Sequence, residues 1–206
     1  MKKGSLIVIS GFSGAGKGTL VKRLLELHDE YALSISMTTR SPRPGEENGK
    51  SYFFVSEDEF EQTIADDGFL EYARYCNHYY GTPLAYVNQC LEQGKNVILE
   101  IEIQGALKVK EKLPETILIF VTPPSAEILK ERLVGRGTET ADVIRQRLFR
   151  AVEESKGVEQ YDYVVVNDDL DECVSDIHSI VEASHCKAQD YLQLIDEIGN
   201  ALSKNS

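Results

Sequence analysis

Tryptophan is absent from this 206-residue chain, methionine occurs twice and cysteine four times. The cysteines, Cys76, Cys90, Cys173 and Cys186, are scattered and form no C-x-x-C pair. That argues against a disulfide scaffold and against a cysteine-ligated zinc site. No apolar run reaches the roughly 18 residues that a membrane span needs. The start, Met1-Lys2-Lys3-Gly4-Ser5-Leu6-Ile7-Val8-Ile9, has a basic pair, but its apolar run is too short for a signal peptide. Positive charge is also in short supply: 22 Lys and Arg stand against 34 Asp and Glu, a formal net charge of −12. This balance disfavours general binding to nucleic acid or to a membrane surface, and leaves open a local basic pocket for a small anion. The 42% hydrophobic and 27% charged fractions are those of an ordinary folded protein, which excludes disorder over most of the chain. We therefore expect a reduced, cytoplasmic protein, built as one compact α/β domain with insertions.

Short apolar runs at Leu6–Ser10, Asn96–Ile101, Thr116–Val121 and Tyr163–Val166 read as buried parallel strands, with a further candidate near Leu33–Ser36. Helical patterns separate them, at Lys17–Leu27, Leu84–Gln93, Ser125–Leu133 and the arginine-rich Ala141–Glu154. Strands alternating with helices imply βαβ units and a mostly parallel, doubly wound sheet. Residues 38–82 break the rhythm with Pro42, Pro44, Gly45 and Gly49, a strand-like stretch, a short helix over Glu57–Asp66 and an aromatic-rich segment. They read as an inserted, partly antiparallel subdomain. The polar, Gly-bearing stretch 134–140 suits a mobile lid. From Asp171 to about Leu202, Val174, Ile177, Val181, Ala188, Tyr191, Leu192 and Ile195 recur at helical spacing. That face either packs on the core, which we favour, or makes a dimer contact. The expected division is one domain over 1–206, with a core of 1–34, 83–126 and 155–206, an insert over 35–82 and a lid over 127–154.

The first strand runs into Gly11-Phe12-Ser13-Gly14-Ala15-Gly16-Lys17-Gly18-Thr19 and then a helix. In such a G-x-x-x-x-G-K loop the glycines let successive backbone N–H groups turn onto one phosphate chain, the helix start adds partial positive charge, and the lysine adds a full one. The hydroxyl that usually follows the lysine is displaced by one residue, from Gly18 to Thr19. The loop predicts a nucleoside triphosphate without naming the acceptor.

The acceptor must be sought elsewhere. Ser34-Ile35-Ser36-Met37-Thr38-Thr39-Arg40-Ser41-Pro42-Arg43-Pro44-Gly45-Glu46 places two arginines three apart between prolines. Arginine forks hold phosphate bidentately and stay charged. With Tyr52 they could clamp a second phosphate. Glu71, Tyr80-Gly81-Thr82 and Glu100-Ile101-Glu102 could surround a base, and a carboxylate accepting two donors selects the N1–H and 2-amino edge of guanine.

These blocks, together with Gly49-x-x-Tyr52-x-Phe54-Val55, Leu99-Glu100-Ile101-Glu102-x-Gln104-Gly105, Arg132-Leu133-x-x-Arg136-Gly137-Thr138-Glu139-Thr140 and Val166-Asn167-Asp168-Asp169-Leu170, resemble the guanylate kinase family of nucleoside monophosphate kinases in unbroken order from about Leu6 to Leu170. The resemblance implies a P-loop α/β fold with an inserted GMP-binding subdomain and a helical lid. It also implies ATP-dependent phosphorylation of GMP, and of dGMP, in purine metabolism. Arg40, Arg43, Tyr52 and Tyr80 would hold the GMP phosphate; Ser36, Glu71, Thr82 and Glu102 would read guanine. Arg132, Arg136 and Arg147 would close on the transferring phosphoryl, and Asn167 and Asp168 would lie near the adenine. Glu100 would orient water around Mg²⁺ or simply pair with Lys17.

No resident metal site is read, and the four histidines are taken as non-catalytic. Expected ligands are GMP and ATP with Mg²⁺; expected assembly is a monomer or homodimer, with no nucleic-acid or membrane partner. Because the accepting oxygen is already anionic, catalysis needs positioning and charge neutralisation rather than a strong base. The rival readings are another nucleoside monophosphate kinase and a non-catalytic, guanylate-kinase-like binding module. A regulatory GTPase is disfavoured because no Asn-Lys-x-Asp motif is present.

Overall fold

The structure, a computed structural model, describes residues 3–75, 77–134 and 141–203. The chain begins with β1 (Leu6–Gly11), α1 (Lys17–Leu27) and β2 (Tyr31–Leu33). It continues through β3 (Met37–Thr38), β4 (Phe53–Phe54), α2 (Glu57–Ala65), β5 (Phe69–Tyr75) and β6 (His78–Pro83). The remainder is α3 (Leu84–Glu92), β7 (Asn96–Glu100), α4 (Ile103–Lys112), β8 (Ile117–Thr122), α5 (Ala126–Val134), α6 (Ala141–Glu154), β9 (Tyr163–Val166), α7 (Leu170–Ser184) and α8 (Leu192–Ser203).

Five strands form one parallel sheet in the order β2-β7-β1-β8-β9. β1 is central and buried at every position, which is why its sequence is a nearly unbroken apolar run. Alternation sends Ile7 and Ile9 to one face, against Leu20 and Leu24 of α1 and Val174 and Ile177 of α7. Leu6 and Val8 face the other way, against Val87 and Leu91 of α3 and Ala106 and Val109 of α4. The sheet is thus covered on both faces, the condition that purely parallel strands require.

Residues 37–83 build a second, four-stranded sheet in the order β4-β3-β6-β5. β3 pairs parallel with β4 and antiparallel with β6, and β5 pairs antiparallel with β6. Its centre is the fully buried Phe60 of α2, stacked on Phe69 at 4.4 Å and on Tyr79 at 5.0 Å. α2 starts at a reciprocal cap in which the Ser56 hydroxyl accepts from Glu59 N–H while the Glu59 carboxylate accepts from Ser56 N–H.

Three expectations need correction. The strand expected near Leu33–Ser36 lies at Tyr31–Leu33, because pairing with β7 runs from Tyr31↔Asn96 to Leu33↔Ile98 and the chain then departs toward the second sheet. β9 is parallel but not buried: it is an edge strand in which only Val165 is covered, while Val164 and Val166 stay about half exposed. The last helical pattern divides. Val174, Ile177 and Val181 of α7 are buried, but α8, beyond a 3₁₀ turn at Ala188–Tyr191, buries no side chain. Among the described residues no helix is long and apolar enough to cross a membrane.

Ile119 of β8 is fully buried between Ile9 and Tyr163. Ile119→Ala is expected to cost about 2–5 kcal/mol of unfolding free energy, measured as a lowered urea midpoint at constant slope.

Candidate active site

β1 and β7 end side by side, and the site lies in the crevice beyond their carboxyl ends. Ser10 donates its hydroxyl to the Ile101 carbonyl at 2.8 Å, which ties the two strand exits together. The turn out of β1 needs glycine: a Cβ on Gly11 would stand 2.1 Å from the Val121 carbonyl oxygen. Gly16, at φ 90°, brings the loop into α1, with the Asn167 side chain pressed against it. Asn167 is buried and donates to the Ala15 carbonyl at 2.7 Å. No side chain caps the start of α1, so its first N–H groups are available to an anion.

Acids and carbonyls from the chain itself engage this loop. The Ser13 N–H donates to Glu154 Oε2 at 2.9 Å. Lys17 Nζ donates to the Gly11 carbonyl at 2.7 Å and to the Phe12 carbonyl at 3.1 Å. Burial lowers the Lys17 pKa, opposed by the negative charges of Glu100, Glu154 and Glu102. Glu100 sits at the rim, solvent-exposed as a residue, yet enough protein closes on its carboxyl group to push its pKa up against the pull of Lys17. The result is a polar cleft of about 250 Å³ lined by Gly11, Ser13, Lys17, Glu100, Ile101, Glu102, Ile103 and Glu154.

A second pocket of about 160 Å³ adjoins it through Glu100 and Ile101, with Ser36, Tyr52 and Thr82 in its wall. Thr82, buried, donates its hydroxyl to Glu71 Oε1 at 2.7 Å. Burial raises the Glu71 pKa; the Thr82 bond and the Lys108 charge oppose the rise. At the outer edge the Arg40 guanidinium stands 5.4 Å from the centre of the Tyr52 ring, and Tyr80 meets Tyr52 edge-on at 6.2 Å. Arg40 donates to Glu46 Oε1 at 2.8 Å, and Glu46 Oε2 accepts the Arg43 N–H at 2.7 Å. These two bonds, the Arg40 one first, hold the Glu46 pKa low.

The structure brings eight of the sequence-predicted residues into the walls of these two pockets. Gly11, Ser13, Lys17, Glu100 and Glu102 share the loop cleft, with Phe12, Gly14, Ala15 and Gly16 completing the loop. Gly18 and Thr19 are exposed on the first turn of α1; a Cβ on Gly18 would lie 3.8 Å from the Glu100 carboxylate. Past β7 the chain turns into α4, where Glu102, at the cap position of that helix, lines the loop cleft; Gly105, three residues on, lies against the Glu71 side chain, a Cβ there falling 3.6 Å from Glu71 Oε2. Asn167 contacts the loop itself, and Asp168 beside it is exposed. The Arg43 side chain is exposed, and Arg147 is half-buried on α6. Arg132 is close enough to Cys173 to oppose the burial that pushes that thiol up to about 12. Arg136 lies outside the described residues, as do 135–140 of the expected lid.

Two residues escaped the sequence reading. Glu46 stood inside the quoted arginine motif, and its spacing from both arginines was a usable signal. Glu154 had none: it is 141 positions from Ser13, and only the fold brings them together.

Comparison with known proteins gives one family. A model described as guanylate kinase matches residues 3–184. A guanylate kinase of Lactococcus lactis subsp. lactis is 49% identical over 201 residues, covering 96% of this chain and 98% of the relative. One from Caldanaerobacter subterraneus subsp. tengcongensis is 54% identical over 186 residues, covering 90% of each. The crystal structure of guanylate kinase from Anaplasma phagocytophilum superposes with a TM-score of 0.69 at 33% identity, covering 91% of this chain and 89% of that one.

Two outcomes follow from the geometry. The Glu71 pKa is raised in the fold, so the native state binds the extra proton more tightly than the unfolded chain does, and stability falls as pH rises above the ordinary value of 4.5. Glu71→Gln, which keeps an acceptor for Thr82, is expected to melt no lower than the parent at pH 7, and the parent is expected to close any gap as the pH approaches 4.5. Second, Glu154→Ala removes a competitor for the Ser13 N–H, so inorganic tripolyphosphate should bind about tenfold more tightly in a calorimetric titration.

Proposed function

The chain belongs to the guanylate kinase family and phosphorylates GMP to GDP, and we propose that it does so with ATP as donor through the two adjoining pockets described above. The observation that carries this assignment is their contact through Glu100: a phosphate-loop cleft with Lys17 on one side, and a pocket walled by Ser36, Tyr52 and Thr82 on the other. Two phosphorylated ligands seated there meet end to end, the arrangement an in-line transfer needs.

In this mechanism the loop N–H groups and Lys17 take the ATP phosphates. Lys17 leaves the Gly11 and Phe12 carbonyls, and Ser13 leaves Glu154. Arg40, Arg43, Tyr52 and Tyr80 hold the GMP phosphate. Glu46 orients the two arginines by accepting from the Arg40 side chain and the Arg43 backbone. Glu71, already fixed by Thr82, accepts from the guanine edge, with Ser36 and Thr82 adding hydroxyl contacts. A site built to make such bonds rejects a base lacking the donors by about 10⁴–10⁵-fold. Glu102, at the cap of the helix whose Gly105 lies against Glu71, joins Ser36, Glu71 and Thr82 at the base. Arg132, Arg136 and Arg147 supply positive charge as the phosphoryl group moves, and Asn167 keeps the loop in shape beneath it.

A Mg²⁺ ion with the ATP fits the donors present: the Glu100 carboxylate faces Gly18, and the Thr19 hydroxyl is exposed one residue on, a hard oxygen set suited to a hydrated ion. Bound there, it would supply positive charge against the phosphate charge that repels the acceptor. The residues then divide into a core that carries the loop, a GMP-binding insert over 35–82 and a lid over 127–154. We place the enzyme in the cytoplasm, in keeping with the free thiols of Cys90 and Cys173.

The assignment is tested by coupled detection of ADP with Mg-ATP and GMP, AMP, CMP or UMP in turn. Turnover with GMP alone is expected; turnover with another base would overturn the roles of Glu71 and Thr82. Lys17→Met and Arg43→Met are each expected to lower turnover by orders of magnitude with unchanged circular dichroism. Near-normal turnover in either refutes the role given to that residue.

A further inference from the structure

We propose that His28, Glu30 and His178 form a binding site for a divalent transition-metal ion such as Zn²⁺, at the end of the parallel sheet opposite the phosphate loop. His28 caps the C-terminus of α1, Glu30 lies on the short approach to β2, and His178 projects from α7. The neighbouring Tyr31 pairs with Asn96, the first residue of β7, so the cluster lies at the amino ends of the strands, away from Glu100 and Lys17.

The donor atoms are already gathered. One ligand atom from each residue lies within 4.8 Å of the others. Glu30 Oε1 stands 3.5 Å from His28 Nδ1 and 3.9 Å from His178 Nδ1. A tetrahedral ion with nitrogen and oxygen ligands at their usual lengths keeps those atoms about 3.4 Å apart. The distances therefore need only a small contraction, and the stacked rings must also turn so that their in-plane lone pairs converge on the ion. The two imidazoles are stacked, with centroids 3.8 Å apart and planes inclined by 25°.

The frame is firm. The His28 N–H donates to Leu24, and the Glu30 carbonyl accepts from the Asn96 N–H at 2.8 Å. The Tyr31 hydroxyl lies 3.1 Å from His178 Nδ1 and fixes that ring's direction. On loading, the hydroxyl yields the nitrogen to the ion. Side-chain exposures of 24% for His28, 43% for Glu30 and 27% for His178 leave room for entry and for a water in the fourth position. Imidazole nitrogen selects Zn²⁺, Co²⁺ or Ni²⁺ over Mg²⁺, so the ion that accompanies ATP does not compete. The ion would clamp α1 to α7, two helices that already pack together.

The test uses the full chain, stripped with EDTA and free of nucleotide. Titration with Co²⁺ is expected to give the strong visible absorption of a four-coordinate ion, saturating at one per chain. Zn²⁺ should abolish it and millimolar Mg²⁺ should not. His28→Gln and His178→Gln should each weaken Co²⁺ binding by about tenfold or more, while Cys186→Ser, at the exposed thiol, leaves it unchanged. On the parent chain, independently of any substitution, Zn²⁺ should shift the imidazole NMR signals of two of the four histidines. Absence of the Co²⁺ band, undiminished binding in both histidine variants, or loss of binding in the cysteine variant overturns the site.

Discussion

β1 is paired on both edges and buried along its whole length, so its exit can be placed in only one way. Gly11 leaves it hard against the Val121 carbonyl, where any side chain would collide. The loop that follows inherits a fixed starting point, and Asn167, arriving from the far edge strand, fixes its end by bonding to Ala15. Lys17 and the first turn of α1 are thereby positioned by the sheet rather than by local sequence. The neighbouring strand β7 delivers Glu100 and Ile101 to the same crevice, and those two residues join the phosphate cleft to the pocket bounded by the second sheet. A change in how β1 packs therefore reaches both ligand sites at once.

Charge is arranged by a second constraint. In a chain with 34 acidic residues, the cations of the site are matched by neighbouring acceptors: Arg40 by Glu46, and Lys17 by loop carbonyls within the field of three glutamates. The two strained carboxylates differ in kind. Glu71 is disfavoured as an anion by burial beside a hydroxyl, which suits a group that must find donors on a base. Glu100 is disfavoured by the walls of an open cleft and relieved by a lysine, which suits a group facing hydrated charge.

How much of this was legible depended on the range of the interactions. The phosphate loop is local, glycine by glycine, and the buried strands announce themselves by apolar runs; both were readable, as was the arginine motif of residues 34–46. The exposure of Val164 and Val166 was hidden because an edge strand and a buried one share a composition, and only the strand order separates them. α8 shows the same limit: its apolar spacing is that of a packed helix, yet none of its residues is buried. Glu154 meets the loop only through the fold, and no pattern in its own neighbourhood marks it.

The carboxylate of Glu154 on the Ser13 N–H makes ligand entry an exchange rather than an addition. Ser13 N–H and Lys17 must release oxygens of the chain before turning to phosphate, Lys17 releasing two, whereas the uncapped first N–H groups of α1 have none to give up. Part of the hydrogen bonding gained on filling the cleft is therefore offset by bonds lost, and the heat released is correspondingly smaller. The driving force shifts toward entropy, from water shed by the polyanion and from the freed end of α6. The unliganded molecule is in this sense already occupied, by a weak imitation of its own ligand.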